Sequence, residues 1–352
     1  MDIKKINNEP VFWVDLTRVI ASFLVVMIHV IEHVVNNWHQ YPPMIQNIAN
    51  VYDSATRMSV PLFFMLSGWL LLPKRESLLN FYIKRFVKVF IPFLVWSGFY
   101  LVFMCGVTLA GCSKVWISRL VFLHGTYSHL WFLYFLVGIY LVIPLLRLLV
   151  VPDGRPLLWY VIGLWVFFEP VLSLAEKFLD IKTNIPVPLA TGFVGFVILG
   201  YLLGELRISR GYFYSAIIGW VAGTFFTFIS TYYLNKGTAE FDYFFYWYLS
   251  LNVIVSSASG FIIIRWMADH PMFSASHFQK IIKSLSVTSF GIYLVHPFIL
   301  AVLSNQNPFV RINTDIGNPI WSIPVVTLLV FFLSFVAIFV MQKIPLLRKI
   351  VP

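Results

Sequence analysis

Ten stretches of this chain are apolar for long enough to cross a lipid bilayer, and that pattern leaves few folds open to it. A spanning helix needs roughly 20 consecutive apolar residues. Runs of about that length lie near 11–35, 55–73, 86–108, 129–150, 157–176, 189–206, 212–234, 243–267, 284–304 and 319–342. Backbone N–H and C=O groups meet no water in hydrocarbon, so each run must satisfy them internally as a helix. The second run holds Pro61 and Gly68, and Glu169-Pro170 interrupts the fifth; a surrounding bundle absorbs such breaks. Of the 352 residues, 59% are hydrophobic and 11% charged, against about 25% charged in a soluble domain. One soluble core of this length would not hide so much apolar surface. The expectation is an all-α, polytopic integral membrane bundle of about ten helices, a single domain over 1–352 whose first partner is the bilayer.

The formal net charge is +10. It is spread over short loops rather than gathered in a basic tail, which argues against nucleic acid as a partner. In a membrane protein such charge sets topology, with Lys and Arg kept to the cytosolic side. With the N-terminus in the cytosol, inner segments carry more than twice as many Lys and Arg residues as outer ones, so both termini are expected to be cytosolic. The first run is too long for the core of a cleavable signal peptide. No internal repeat is visible, and no soluble domain is expected after the last run. Cys105 and Cys112 form neither a disulfide framework nor a zinc pattern, and Cys105 is expected to pack as an apolar helix residue.

Ionisable residues are costly within a bilayer and mark functional sites. The first run holds Asp15, Arg18, His29, Glu32 and His33. Arg18 and His29 are eleven positions apart, about 20° from three full turns, so they share one face roughly 16 Å apart along the axis. They are too distant for a salt bridge but suit the two ends of one polar track. His33 lies one turn further out. The blander reading has Arg18 snorkelling to the inner interface and His29 bonding a neighbouring helix. His29 and His33 also have metal-binding spacing, but no third ligand is evident and no metal is expected.

Asp53 and Arg57 are spaced for an i, i+4 ion pair, either interfacial or functional, and Ser67-Gly68 permits close helix approach. Lys84, Arg85 and Lys88 precede the third run. They either enforce topology or hold phosphates. His129 and Trp131 open the fourth run as interface anchors or site residues, and Tyr293 and His296 share a face in the ninth.

At these residues the chain resembles the bacterial membrane acyltransferase type 3 family. Arg18 and His29 reproduce its R-x10-H signature. The stretches VPLFFMLSGWL, Lys84-Arg85-x-x-Lys88 before Pro92, HLWFLYFLVGIYL and FGIYLVHPF resemble its other motifs. Together they cover nearly the whole chain. Lys88 stands where the family often has a second arginine, which removes a bidentate donor.

The resemblance implies an O-acetyltransferase of the bacterial cytoplasmic (inner) membrane. It would move an acetyl or other acyl group from acetyl-CoA to a sugar hydroxyl of a surface polysaccharide or its lipid-linked precursor. In that reading His29 and Arg18 are catalytic, and Arg85, Lys88 and Lys84 bind the donor. Asp53, Arg57, His129, Tyr293 and His296 contact the glycan or lipid-linked acceptor. An imidazole, with an ordinary pKa of about 6.5, suits a general base at neutral pH; an acetyl-histidine relay is the variant. A proton-coupled transporter, or a glycan exporter without chemistry, would also place Arg and His in its helices.

Overall fold

The computed structural model describes residues 11–106, 125–181, 191–238, 240–273, 275–304 and 314–352. Among these residues the chain is helical and has no strands. Its principal helices are α1 (Phe12–Asn36), α2 (Pro43–Thr56), α3 (Ser59–Leu71), α4 (Leu78–Cys105), α5 (Ser128–Leu149), α6 (Arg155–Leu179), α7 (Val194–Gly204), α8 (Arg210–Asn235), α9 (Leu251–Ala268), α10 (Ser276–Ser304) and α11 (Pro319–Met341).

Eight helical stretches are long and apolar enough to span a membrane, which makes the chain a multi-pass membrane protein. They account for eight of the ten expected runs. The remaining two, the second and the sixth, are the shorter helices α3 and α7, of 13 and 11 residues. These two lie against one another. A Cβ on Gly68 would fall 1.8 Å from the carbonyl oxygen of Val197, and one on Gly200 would fall 2.1 Å from that of Met65. Lipid supplies no hydrophobic drive for helix association, so close backbone packing through small residues substitutes for it. The expected close approach at Gly68 is therefore present. α3 is short, yet Val60 at its start and Leu71 at its end line cavities on opposite sides of the bundle.

α1 is the central strut. It packs against α2, α3, α9, α10 and α11, and most of its residues are buried. α8 pairs with α9 and shows most of its surface outward. Arg18 near the start of α1 and Pro352 at the end of the chain line the same cavity, so the two ends of the bundle lie on one face.

Prolines shape the helices locally. Pro92 has no N–H for the carbonyl of Lys88, and the preceding turn, Phe86–Phe90, is widened to π-helix. Pro170 sits in a second such turn, Phe167–Val171, so α6 continues through Glu169-Pro170. Trp165 donates to the Gly192 carbonyl at 2.8 Å and Glu169 accepts from the Gly192 N–H, which ties α6 to the start of α7. Cys105, at the end of α4, is disulfide-bonded. This corrects its reading as an ordinary packing residue. Cys112 lies outside the described residues.

Candidate active site

Two cavities flank a thin partition at the middle of the bundle. The inner one, about 780 Å³, is lined by Arg18, Lys74, Arg75, Lys84, Arg85 and Lys88, with Glu76 its single acidic side chain among the described residues. The outer one, about 670 Å³, is lined by His29, Glu32, Asp53, Arg57, His129 and a group of aromatic side chains. Phe132 and Tyr293 line both. Their rings meet edge to face with centroids 5.5 Å apart, and the Tyr293 hydroxyl donates to the His129 carbonyl. Arg18 and His29 do share one face of α1, but the single track expected from that face is divided. Arg18 opens on the inner cavity and His29 on the outer.

The basic motif is built on Glu76. Its carboxylate is 2.9 Å from Lys84 Nζ, 3.4 Å from Arg85 Nη1 and 3.2 Å from Arg147 Nη2. The Arg85 and Arg147 guanidiniums both lie over the ring of the buried Phe81, at 4.4 and 4.6 Å. Burial pushes the Glu76 carboxyl up. The hydrogen bond from Lys84, the charge of Arg85 and the hydrogen bond from Arg147 outweigh that and hold it below its ordinary value. Lys74 is pushed down, first by burial and then by the Arg85 charge. Its ammonium thus stands in an excess of positive charge, which an anion would relieve. Lys88 reaches the same cavity from the π-helical turn. Arg18 is held 3.4 Å from Asp15, which also takes hydrogen bonds from Ser286 at 2.6 Å and Lys283 at 3.1 Å. Asp15 thereby fixes Arg18 to α10.

In the outer cavity, His29 Nδ1 is 2.8 Å from Glu32 Oε2. An ionised carboxylate only accepts, so this bond puts the proton on Nδ1 and leaves Nε2 with a free lone pair. Two further histidines stand behind it. The ring centroids of His29 and His296 are 5.1 Å apart, those of His129 and His296 5.7 Å, and those of His29 and His129 6.3 Å. His296 is fully buried and donates from Nδ1 to the Ile292 carbonyl at 3.1 Å. His129 is 1% exposed, and neither of its ring nitrogens meets a partner of good geometry. The interfacial reading of His129 is therefore replaced by a buried position. His296 supports His29 without lining the outer cavity itself. Among the described residues no three His, Cys, Asp or Glu side chains are placed to ligate a metal. His33 is exposed and meets the Tyr41 ring edge to face instead.

Asp53 and Arg57 form the expected ion pair, but inside the bundle rather than at its interface, since Asp53 is 1% exposed. The guanidinium lies 4.3 Å over Tyr246 and 5.9 Å from the centre of Tyr248. The Tyr246 hydroxyl is anchored on Asn50 Oδ1 at 2.7 Å, and Arg57 Nε has no partner. Trp131, Tyr134, Tyr243, Trp247 and Tyr248 complete the wall. An aromatic cavity with a few placed polar groups is a common form of small-ligand site.

Sequence reasoning did not reach Glu76, Arg147, Phe132 or the Tyr246–Tyr248 cage. Glu76 carried a faint signal as the lone acid in Lys74-Arg75-Glu76. Glu32, three residues after His29, carried a stronger one, because that spacing puts two side chains side by side on a helix.

A histidine–carboxylate pair lining an aromatic cavity, with a cationic cavity across the Phe132–Tyr293 partition, inside a multi-pass helical bundle, fits a membrane-embedded group-transfer enzyme. The model of the type 3 acyltransferase family, which describes an acyltransferase domain, matches residues 11–340, and the chain belongs to that family. It is an acyltransferase. No curated protein and no solved structure matches it.

Proposed function

We propose that the protein transfers an acetyl group from acetyl-CoA to a sugar hydroxyl of a cell-surface polysaccharide or its lipid-linked precursor, at the bacterial inner membrane. The observation that carries this reading is the meeting of the two cavities at Phe132 and Tyr293. One is suited to a phosphorylated donor and the other to a sugar. Arg85, Lys88, Lys84 and Arg18 supply cations for the donor phosphates. The thioester end would pass the partition toward His29. Sugar C–H faces stack on aromatic rings, and Arg57, Asp53 and Tyr248 offer polar contacts for hydroxyls.

In the reaction, His29 Nε2 takes the proton of the sugar hydroxyl as its oxygen bonds to the thioester carbonyl carbon. Collapse of the tetrahedral adduct breaks the C–S bond, and the imidazolium returns the proton to the departing thiolate. Glu32 holds the imidazole in the tautomer this needs and offsets its positive charge. We assign the cytosol to the face bearing the basic cavity, where Arg18 near the start of α1 and Pro352 lie. The disulfide-bonded end of α4 then lies outside, where disulfides persist. The stretch from Ile48 to Gly68 also resembles the O-acetyltransferase of enterobacterial common antigen, which suggests a related glycan as acceptor.

The test is acetyl-CoA binding by purified protein in nanodiscs, with linkage mapping of cell glycans with and without the gene. Micromolar binding that Arg85→Ala weakens roughly tenfold, about 1.4 kcal/mol, and loss of one O-acetyl linkage are expected. Failure of the wild-type protein to bind acetyl-CoA overturns the reading.

A further inference from the structure

We propose that an apolar groove beside the outer cavity holds the hydrocarbon chain of a lipid-linked glycan, so that the acceptor is membrane-anchored when its sugar reaches His29. This rests on the outer cavity being the acceptor site. The groove, about 580 Å³, runs between α6, α8 and α9, with Leu174, Phe226 and Val255 among its walls. Tyr243 and Trp247 line both this groove and the outer cavity, so a ligand with one end in each lies across those two rings.

Depth supports a chain rather than a second sugar. Lys177 and Asp242 form an ion pair at the outer end, a pair that belongs near the interface rather than in hydrocarbon. Asn235, the last residue of α8, accepts from the Asp242 N–H at 2.6 Å. Gly223, which lines the groove, is twelve residues earlier in α8, roughly 18 Å down the helix axis. That is more than half of a hydrocarbon core about 30 Å thick. The groove therefore descends from the interface to the bilayer middle. It is also open sideways, since Phe226 and Trp247 are 49% and 53% exposed. A chain enters from the membrane without leaving it, and its polar end emerges where the aromatic cavity begins.

Filling the groove tests this. Ala222 and Ser173 both line it and are exposed, so Ala222→Trp and Ser173→Trp occupy the space without disturbing helix packing. Full-length protein in phosphatidylglycerol nanodiscs is photolysed with decaprenyl phosphate carrying a diazirine, and labelled peptides are mapped. Transfer of radiolabelled acetyl from acetyl-CoA into solvent-extractable membrane glycan is measured in parallel. Labelling is expected on peptides of α8 and α9, with a loss of roughly tenfold in both variants, the equivalent of about two buried methylenes. Acetyl incorporation should fall in step while acetyl-CoA binding stays unchanged. Labelling spread around the bundle, or lost on raising the phosphatidylglycerol ratio, means annular lipid only and overturns the proposal. So does full acetylation of extractable glycan by both variants. Groove labelling that the tryptophans abolish, with no acetyl transfer by the wild type, upholds the chain site and overturns the proposed function instead.

Discussion

Glu32 accepts a hydrogen bond from Nδ1 of His29 at 2.8 Å, across less than one turn of the same helix. Because both residues belong to α1, the pair is formed by local geometry and does not depend on how other helices dock. Its consequence is chemical: Nε2, the nitrogen left free, is the one available to a substrate proton. Glu32→Ala should lower kcat on the order of 10²-fold with little change in the KM for the acyl donor. Glu32→Gln, whose amide can donate to Nδ1 and favour the wrong tautomer, should not restore it. Glu32→Asp should recover part of the loss. A change confined to KM would assign Glu32 to substrate binding.

His29 carries the proton itself. His29→Ala should abolish detectable acyl transfer, a loss of about 10²–10⁴-fold, while the protein still inserts in the membrane. His29→Gln keeps volume and some hydrogen bonding but no base, and should be equally inactive. His33→Ala is the control. That side chain is exposed and outside the histidine cluster, so its activity should stay near normal. Near-normal transfer by a well-inserted His29→Gln protein would remove His29 from the mechanism.

Glu76 should give the inner cavity a pH dependence. Its folded-state pKa is lowered, so its stabilising effect is full above the unfolded carboxyl value of about 4.3 and is lost as pH falls through the lower folded value. Thermal melts of wild type and Glu76→Gln should differ near neutral pH and converge below about pH 4. The variant should also bind the donor differently, because Lys84, Arg85 and Arg147 lose their common anchor. A constant difference between the two proteins down to pH 3 would show that Glu76 acts by packing alone.

Phe132 forms one side of the partition that the acyl group must pass. Phe132→Ala should widen it, raising the rate with propionyl or butyryl donors relative to acetyl by several-fold, since each added methylene is worth roughly 0.8 kcal/mol of apolar contact. Competition between acyl donors in a single reaction measures the ratio. An unchanged ratio in an active variant would place the acyl-length filter elsewhere.

Much of this protein was legible in its sequence because the governing rules are local. Hydropathy marks a span wherever about 20 residues are apolar, so the helices and the single-face placement of Arg18 and His29 followed from composition and the period of one helix. Motif order along the chain was enough to suggest the family. The tertiary structure decided what those residues face. His129 and His296 come to lie against His29 from helices a hundred or more residues away, and Arg147 joins Glu76 across 71 positions. Phe132 and Tyr293 divide the polar track into two cavities. None of these relations has a period or a local signal. They depend on which faces of distant helices the packing brings together, as where Gly68 and Gly200 let α3 and α7 close on one another.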